Sequence, residues 1–190
     1  MLNNLKLTLA TAVVLFSFTA AFAQNTKTVE AGRTSVELSS GFVGALQSLG
    51  VTPGTIEPTK LRDGKVTFPV TGGALDLKTL KGEIIHSGGL TLTAGNTQVR
   101  LQAFIIDTTG PAPVLTGLVV LNGGLLARVP LFDISLSGSS IKLDQDDLTV
   151  RGVGLTLDKA AAGALNQIFG VSAFQAGFPI GTAKVTADLE

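Results

Sequence analysis

Lys81-Gly82-Glu83-Ile84-Ile85-His86-Ser87-Gly88-Gly89-Leu90-Thr91-Leu92-Thr93 carries the protein's only histidine, beside a glycine pair. Two β-type runs, Gly82–His86 and Leu90–Thr93, flank Ser87-Gly88-Gly89. A tight loop there makes a hairpin in which His86 stands across from Leu90 and Ile84 from Leu92. Side chains alternate faces along a strand, so His86 shares a face with Ile84, Leu90 and Leu92. An imidazole on an apolar strand face has two readings. It is a core histidine satisfied by a backbone group, or it is a ligand in an apolar pocket.

Outward from this stretch the pattern stays β. Lys65–Val70 and Ala74–Leu77 meet at Thr71-Gly72-Gly73, which reads as a hairpin turn. Ala94-Gly95-Asn96-Thr97, Gly123-Gly124 and Asp144-Gln145-Asp146-Asp147 separate further alternating runs. Turns at this density predict a mainly β chain, an antiparallel β-sandwich or partly open barrel. Residues 52–64, with Pro53, Gly54, Pro58 and Gly64, read as a loop. Two short helices are predicted at the ends of the pattern. Ser39 caps a run with Phe42, Val43, Leu46 and Leu49 at helical spacing, and Asp158 caps Ala160 to Leu165. Each helix follows a strand. Gly44-Ala45-Leu46 aligns with Gly163-Ala164-Leu165, and Gly50-Val51 with Gly170-Val171, so the two strand–helix units read as copies of one repeat.

The chain opens with a weakly cationic start, an apolar run and Ala21-Phe22-Ala23 before Gln24. That is the pattern of a secretory signal peptide over residues 1–23, and it predicts an exported protein, periplasmic, cell-surface or extracellular. Residues 24–33 read as a flexible lead, and residues 34–190 as one β-rich domain. No transmembrane segment is expected in the mature chain, since no later run approaches about 18 unbroken apolar residues.

Composition excludes much chemistry. Lys+Arg and Asp+Glu are equal at 14 each, and no basic run marks a nucleic-acid partner. With no cysteine there is no disulfide, thiolate metal site or thiol nucleophile. A single histidine and no Gly-x-Ser-x-Gly elbow speak against a hydrolase and against zinc, so the chain reads as non-enzymatic. The acidic run at Asp144 lacks the calcium-loop spacing and reads as a solvated turn.

Lys65-Val66-Thr67-Phe68-Pro69-Val70-Thr71-Gly72-Gly73, followed by Gly82-Glu83-Ile84-Ile85-His86-Ser87-Gly88-Gly89-Leu90-Thr91-Leu92-Thr93, resembles the HtaA-type haem-uptake domain. The resemblance implies an exported β-rich domain with a couple of helices. It also implies haem binding, with a tyrosine of the first helix on the iron and a histidine in support. His86 matches that histidine. The first helix here is Phe42 to Leu49, and the chain has no tyrosine. Haem bound in this setting would have His86 as its metal ligand. Ile84, Leu90 and Leu92 from the strand face and Phe42 and Leu46 from the helix would form its apolar contacts. The expected partner is therefore haem or another small apolar ligand near His86. The alternative is a structural or adhesive surface domain that meets a surface or matrix protein and takes no small ligand.

Export has a direct check. The intact mass of protein recovered from an exporting host should correspond to Gln24–Glu190, and soluble material retaining residues 1–23 would overturn the leader assignment.

Overall fold

The computed structural model describes residues 25–190, so the leader assignment lies outside the described residues. The strands are β1 (Thr26–Leu38), β2 (Thr52–Ile56), β3 (Lys60–Arg62), β4 (Lys65–Asp76), β5 (Gly82–His86), β6 (Gly89–Ala94), β7 (Thr97–Asp107), β8 (Val114–Leu121), β9 (Gly124–Ser135), β10 (Ser140–Asp144), β11 (Asp147–Leu157) and β12 (Pro179–Leu189). The helices are α1 (Ser40–Ser48) and α2 (Lys159–Phe169). Every strand pairing is antiparallel. The order β7–β5–β4–β1–β12–β11–β9–β8 returns to β7 and closes a ring of 8 strands. β6 also pairs with β7, and β2, β3 and β10 lie outside that ring. The protein is thus mainly β and antiparallel as expected, and its barrel is closed.

Alternation along the strands fills the barrel. Thr34 and Val36 of β1 are buried while Arg33 and Glu37 face out. The helices sit at one end. β1 and β11 flank β12 on either side, and Leu38 and Leu155 both stand opposite Gly181, so α1 and α2 leave the same rim. Their ends are capped as the sequence predicts. Ser39 Oγ accepts from the Phe42 amide at 3.0 Å, and Asp158 Oδ1 from the Ala160 amide at 2.7 Å. Gly170 ends α2 in the left-handed conformation at φ 66°. The aligned residues Leu46 and Leu165 are both buried.

Several expectations are corrected. Residues 26–33 are not a loose lead; they are the first part of β1, paired to β12 and β4. Residues 52–64 are not a plain loop, since they hold β2 and β3. β2 pairs only with β6, so it is an edge strand, and an edge accepts Pro53 without losing a ladder bond. Residues 65–76 are one strand, β4, with a bulge between Val70 and Gly72 in place of a hairpin turn. The predicted His86 hairpin does not form either. β5 and β6 do not pair; both run antiparallel along β7 as one interrupted strand, with Glu83 opposite Asp107 and Gly89 opposite Gln102.

Close approach explains these glycines. A Cβ on Gly73, at φ 139°, would come within 2.1 Å of the Glu83 carbonyl oxygen. One on Gly88 would meet Thr59 Oγ1 at 2.2 Å, and one on Gly89 the Leu101 carbonyl oxygen at 2.3 Å. The pairs Gly72-Gly73 and Gly88-Gly89 let neighbouring chain segments touch. At Gly123-Gly124 the same pair belongs to a real turn, since Leu121 pairs with Gly124.

If both helices hold the barrel rim by their leucines, Leu46→Ala and Leu165→Ala should each lower unfolding free energy by about 2–5 kcal/mol in urea titrations. A loss under about 1 kcal/mol at either residue would show that its helix is not docked through that side chain.

Candidate functional site

The break between β5 and β6 shapes the site. Three residues, 86–88, face two, 103 and 104, between the Ile85–Ile105 and Gly89–Gln102 pairs. Ala103 takes φ 53° at this irregularity, and the Phe104 carbonyl is turned to a side chain. His86, only 3% exposed, points into the barrel beneath it. Its Nδ1 lies 3.3 Å from the Phe104 carbonyl oxygen, and its Nε2 lies 2.7 Å from Thr34 Oγ1. A carbonyl only accepts, so Nδ1 carries the proton and donates to Phe104. The neutral ring then offers Nε2 as an acceptor, and the Thr34 hydroxyl donates to it.

This network crosses the barrel wall. Thr34 of β1 stands opposite Phe68 of β4, and Val70 of β4 stands opposite His86 of β5. The Thr34–His86 bond therefore bridges over β4, and the Phe104 contact reaches on to β7. Burial pushes the imidazole from its ordinary 6.5 down to about 4, against the opposing pull of the Phe104 and Ile84 backbone groups. The histidine is neutral at physiological pH.

An apolar cavity of about 60 Å³ lies beside the ring. Phe42 of α1, Leu90 and Leu92 of β6, and the edge-to-face pair Phe68–Phe104, with centroids 5.1 Å apart, contribute to its wall. A second cavity of about 70 Å³ occupies the other half of the barrel. Thr34, Leu115 and Leu155 line both, so they form a waist between the two chambers. The first chamber reaches exposed Pro53, and the second reaches Leu136 and Ile141, which are 40% and 48% exposed.

Of the residues named from sequence, His86, Phe42, Leu90 and Leu92 come together around the first chamber. Ile84 lines the second, because the interrupted strand carries it toward the other end of the barrel. Leu46 is buried under α1 and lines neither chamber. Sequence reasoning missed Thr34, the partner of the imidazole. The signal was present: Thr34 is the polar member of the inward series Thr34, Val36, Leu38.

The fold has solved counterparts. The C-terminal domain of HtaA from Corynebacterium glutamicum superposes with a TM-score of 0.66 at 14% identity, covering 86% of this chain and 99% of that domain. The chain has the HtaA fold. The N-terminal domain of HtaA from the same organism gives a TM-score of 0.62 at 13% identity over 85% of this chain and 98% of that one. Haem-binding protein HtaB, also from C. glutamicum, gives 0.56 at 12% identity over 87% and 95%. No family model matches the chain, and no curated protein matches it. Among the described residues no helix is long and apolar enough to cross a membrane.

The HtaA fold raises the question of haem, and the residues here do not fit it. The chain has no tyrosine or cysteine to meet iron. Both nitrogens of its one imidazole are already hydrogen-bonded within the wall. The space beside them, about 60 Å³, is far below the roughly 300–1,000 Å³ of sites for drug-sized ligands.

The buried ring has a consequence for acid stability. Its folded pKa, about 4, lies below its unfolded value near 6.5, so between those values the unfolded chain binds more protons. Stability is therefore fully present above about pH 6.5 and falls as pH drops toward 4, by about 3 kcal/mol. Urea titrations across that range should show the fall, and in His86→Gln it should be much smaller. An unchanged pH slope in the variant would refute the assignment.

Proposed function

We propose that this chain is a non-enzymatic, exported binding domain whose barrel interior takes a slender apolar molecule beside His86. One observation carries the reading: two apolar chambers lie in the barrel interior, with Thr34, Leu115 and Leu155 between them. A barrel of eight strands leaves room for packed side chains or one small ligand. Chambers of about 60 and 70 Å³ suit a chain one methylene wide, not a flat macrocycle. An engineered apolar cavity of about 150 Å³ in another protein admits benzene, which sets the scale. Thr34 and His86 are the polar side chains beside the first chamber; their polar atoms face each other, so a hydroxyl on the ligand would have to displace that bond. The likeness to the HtaA domains and HtaB supports a small-ligand role, and the differences at the site move the ligand class away from haem.

A second reading is a structural or adhesive domain without a ligand. Its support is that both nitrogens of His86 are satisfied inside the fold.

Thermal unfolding with saturating butanol or pentanol separates these readings. Binding at about a hundredfold over the dissociation constant should raise the Tm by roughly 5–10 °C. Leu115→Phe, which fills the waist, should reduce that gain. No shift with any aliphatic probe would favour the ligand-free reading. A saturable Soret change with added haem, abolished in His86→Ala, would restore haem as the ligand.

A further inference from the structure

The cations of this chain are scattered in sequence, and the strand register gathers six of them on one outer face. Lys60 of β3 pairs with Thr67 of β4, Thr67 with Ser35 of β1, Ser35 with Lys184 of β12, and Lys184 with Arg151 of β11. That is one row across five strands. The row on one side contains Arg62, Lys65, Glu37 and Thr182. The row on the other contains Arg33, Thr186 and Thr149. All of these face outward, since the intervening Thr34, Val36, Val66, Val153, Ala183 and Val185 are buried.

Grooves run over this face, and most of its cations stand without an ion pair. A groove of about 580 Å³ lies over Arg33, Ser35, Arg151 and Lys184, and Lys65 joins it to a second of about 370 Å³ over Lys60, Arg62 and Thr67. Lys65 pairs with Glu37 at 3.0 Å. Among the described residues the other five cations have no ion pair. The whole chain has a formal net charge of +0, so this is a local concentration and not a general excess.

We propose that this face binds an acidic polysaccharide. Adjacent strands lie about 4.8 Å apart, so Lys60 and Lys184, three strands apart, are separated by roughly 14 Å. One small anion cannot span that distance, but a chain carrying repeated anionic groups can. Hydroxyls of Ser35, Thr67, Thr149, Thr182 and Thr186 stand between the cations and match a sugar's own hydroxyls. No aromatic side chain stands in these rows, so bases of a single-stranded nucleic acid have nothing to stack on. The site lies on the outside of the barrel and does not depend on the interior ligand.

Binding to dextran sulfate and to polygalacturonate, with neutral dextran as control, tests this by titration calorimetry at 50 and 200 mM salt. At least one acidic polymer should bind, more weakly at the higher salt, and neutral dextran should not. Arg33→Ser/Arg151→Ser/Lys184→Ser should weaken binding at least tenfold. Lys78→Ser/Arg128→Ser/Lys159→Ser, which removes the same charge elsewhere, should stay within twofold. If circular dichroism shows the first triple variant unfolded, Lys184→Ser alone must weaken binding at least threefold. No binding by the unmodified protein, equal loss in both triples, or tighter binding of a single-stranded oligonucleotide would overturn the proposal.

Discussion

A buried neutral imidazole needs a donor on one nitrogen and an acceptor on the other, and the wall of this barrel is broken where it meets both. Phe104 offers its carbonyl because β7 is irregular where β5 gives way to β6. Thr34 offers its hydroxyl from β1, reaching over β4. Leaving either ring atom unpaired in an apolar interior would cost about 1–3 kcal/mol, so histidine, threonine and strand break are coupled. Three strands are tied together by one side chain. The aromatic pair Phe68–Phe104 closes the same region by contact.

That network also decides what the interior can do. An imidazole whose two nitrogens are both engaged is a structural cross-link unless a ligand replaces one of the bonds. Likeness of fold at 14% identity does not carry the ligand with it, because function resides in particular side chains. The resemblance in the stretch around His86 reflects glycines and alternation that build the strand break. Those features belong to the architecture, and they leave the chemistry of the interior to the side chains that line it.

What was legible in the sequence follows from how local each signal is. Ser39, Asp158 and Gly170 act on the next few amides or on their own dihedral angles, and both helices could be placed from them. Gly95-Asn96 and Gln145-Asp146 are turns between strands that pair immediately across them. Gly72-Gly73 and Gly88-Gly89 look the same in one dimension, yet their role is set by Glu83, Thr59 and Leu101, which only the register brings near. The site was half legible for the same reason. His86, Leu90, Leu92 and Phe42 followed from strand and helix periodicity. Thr34 and the displacement of Ile84 to the second chamber required knowing that β5 and β6 both lie along β7.

The outer face shows the converse. Arg33, Lys60, Arg151 and Lys184 form no run, and a charge count over the sequence reads as neutral. Yet a closed antiparallel barrel fixes which residues share a row, and the period of two fixes which side they face. Thr34 and Val36 serve the interior while Arg33, Ser35 and Glu37, on the same strand, serve the surface. Inner and outer faces therefore change independently. A barrel of this kind can change its interior without disturbing a cationic surface outside, and the two need not have been shaped by the same ligand.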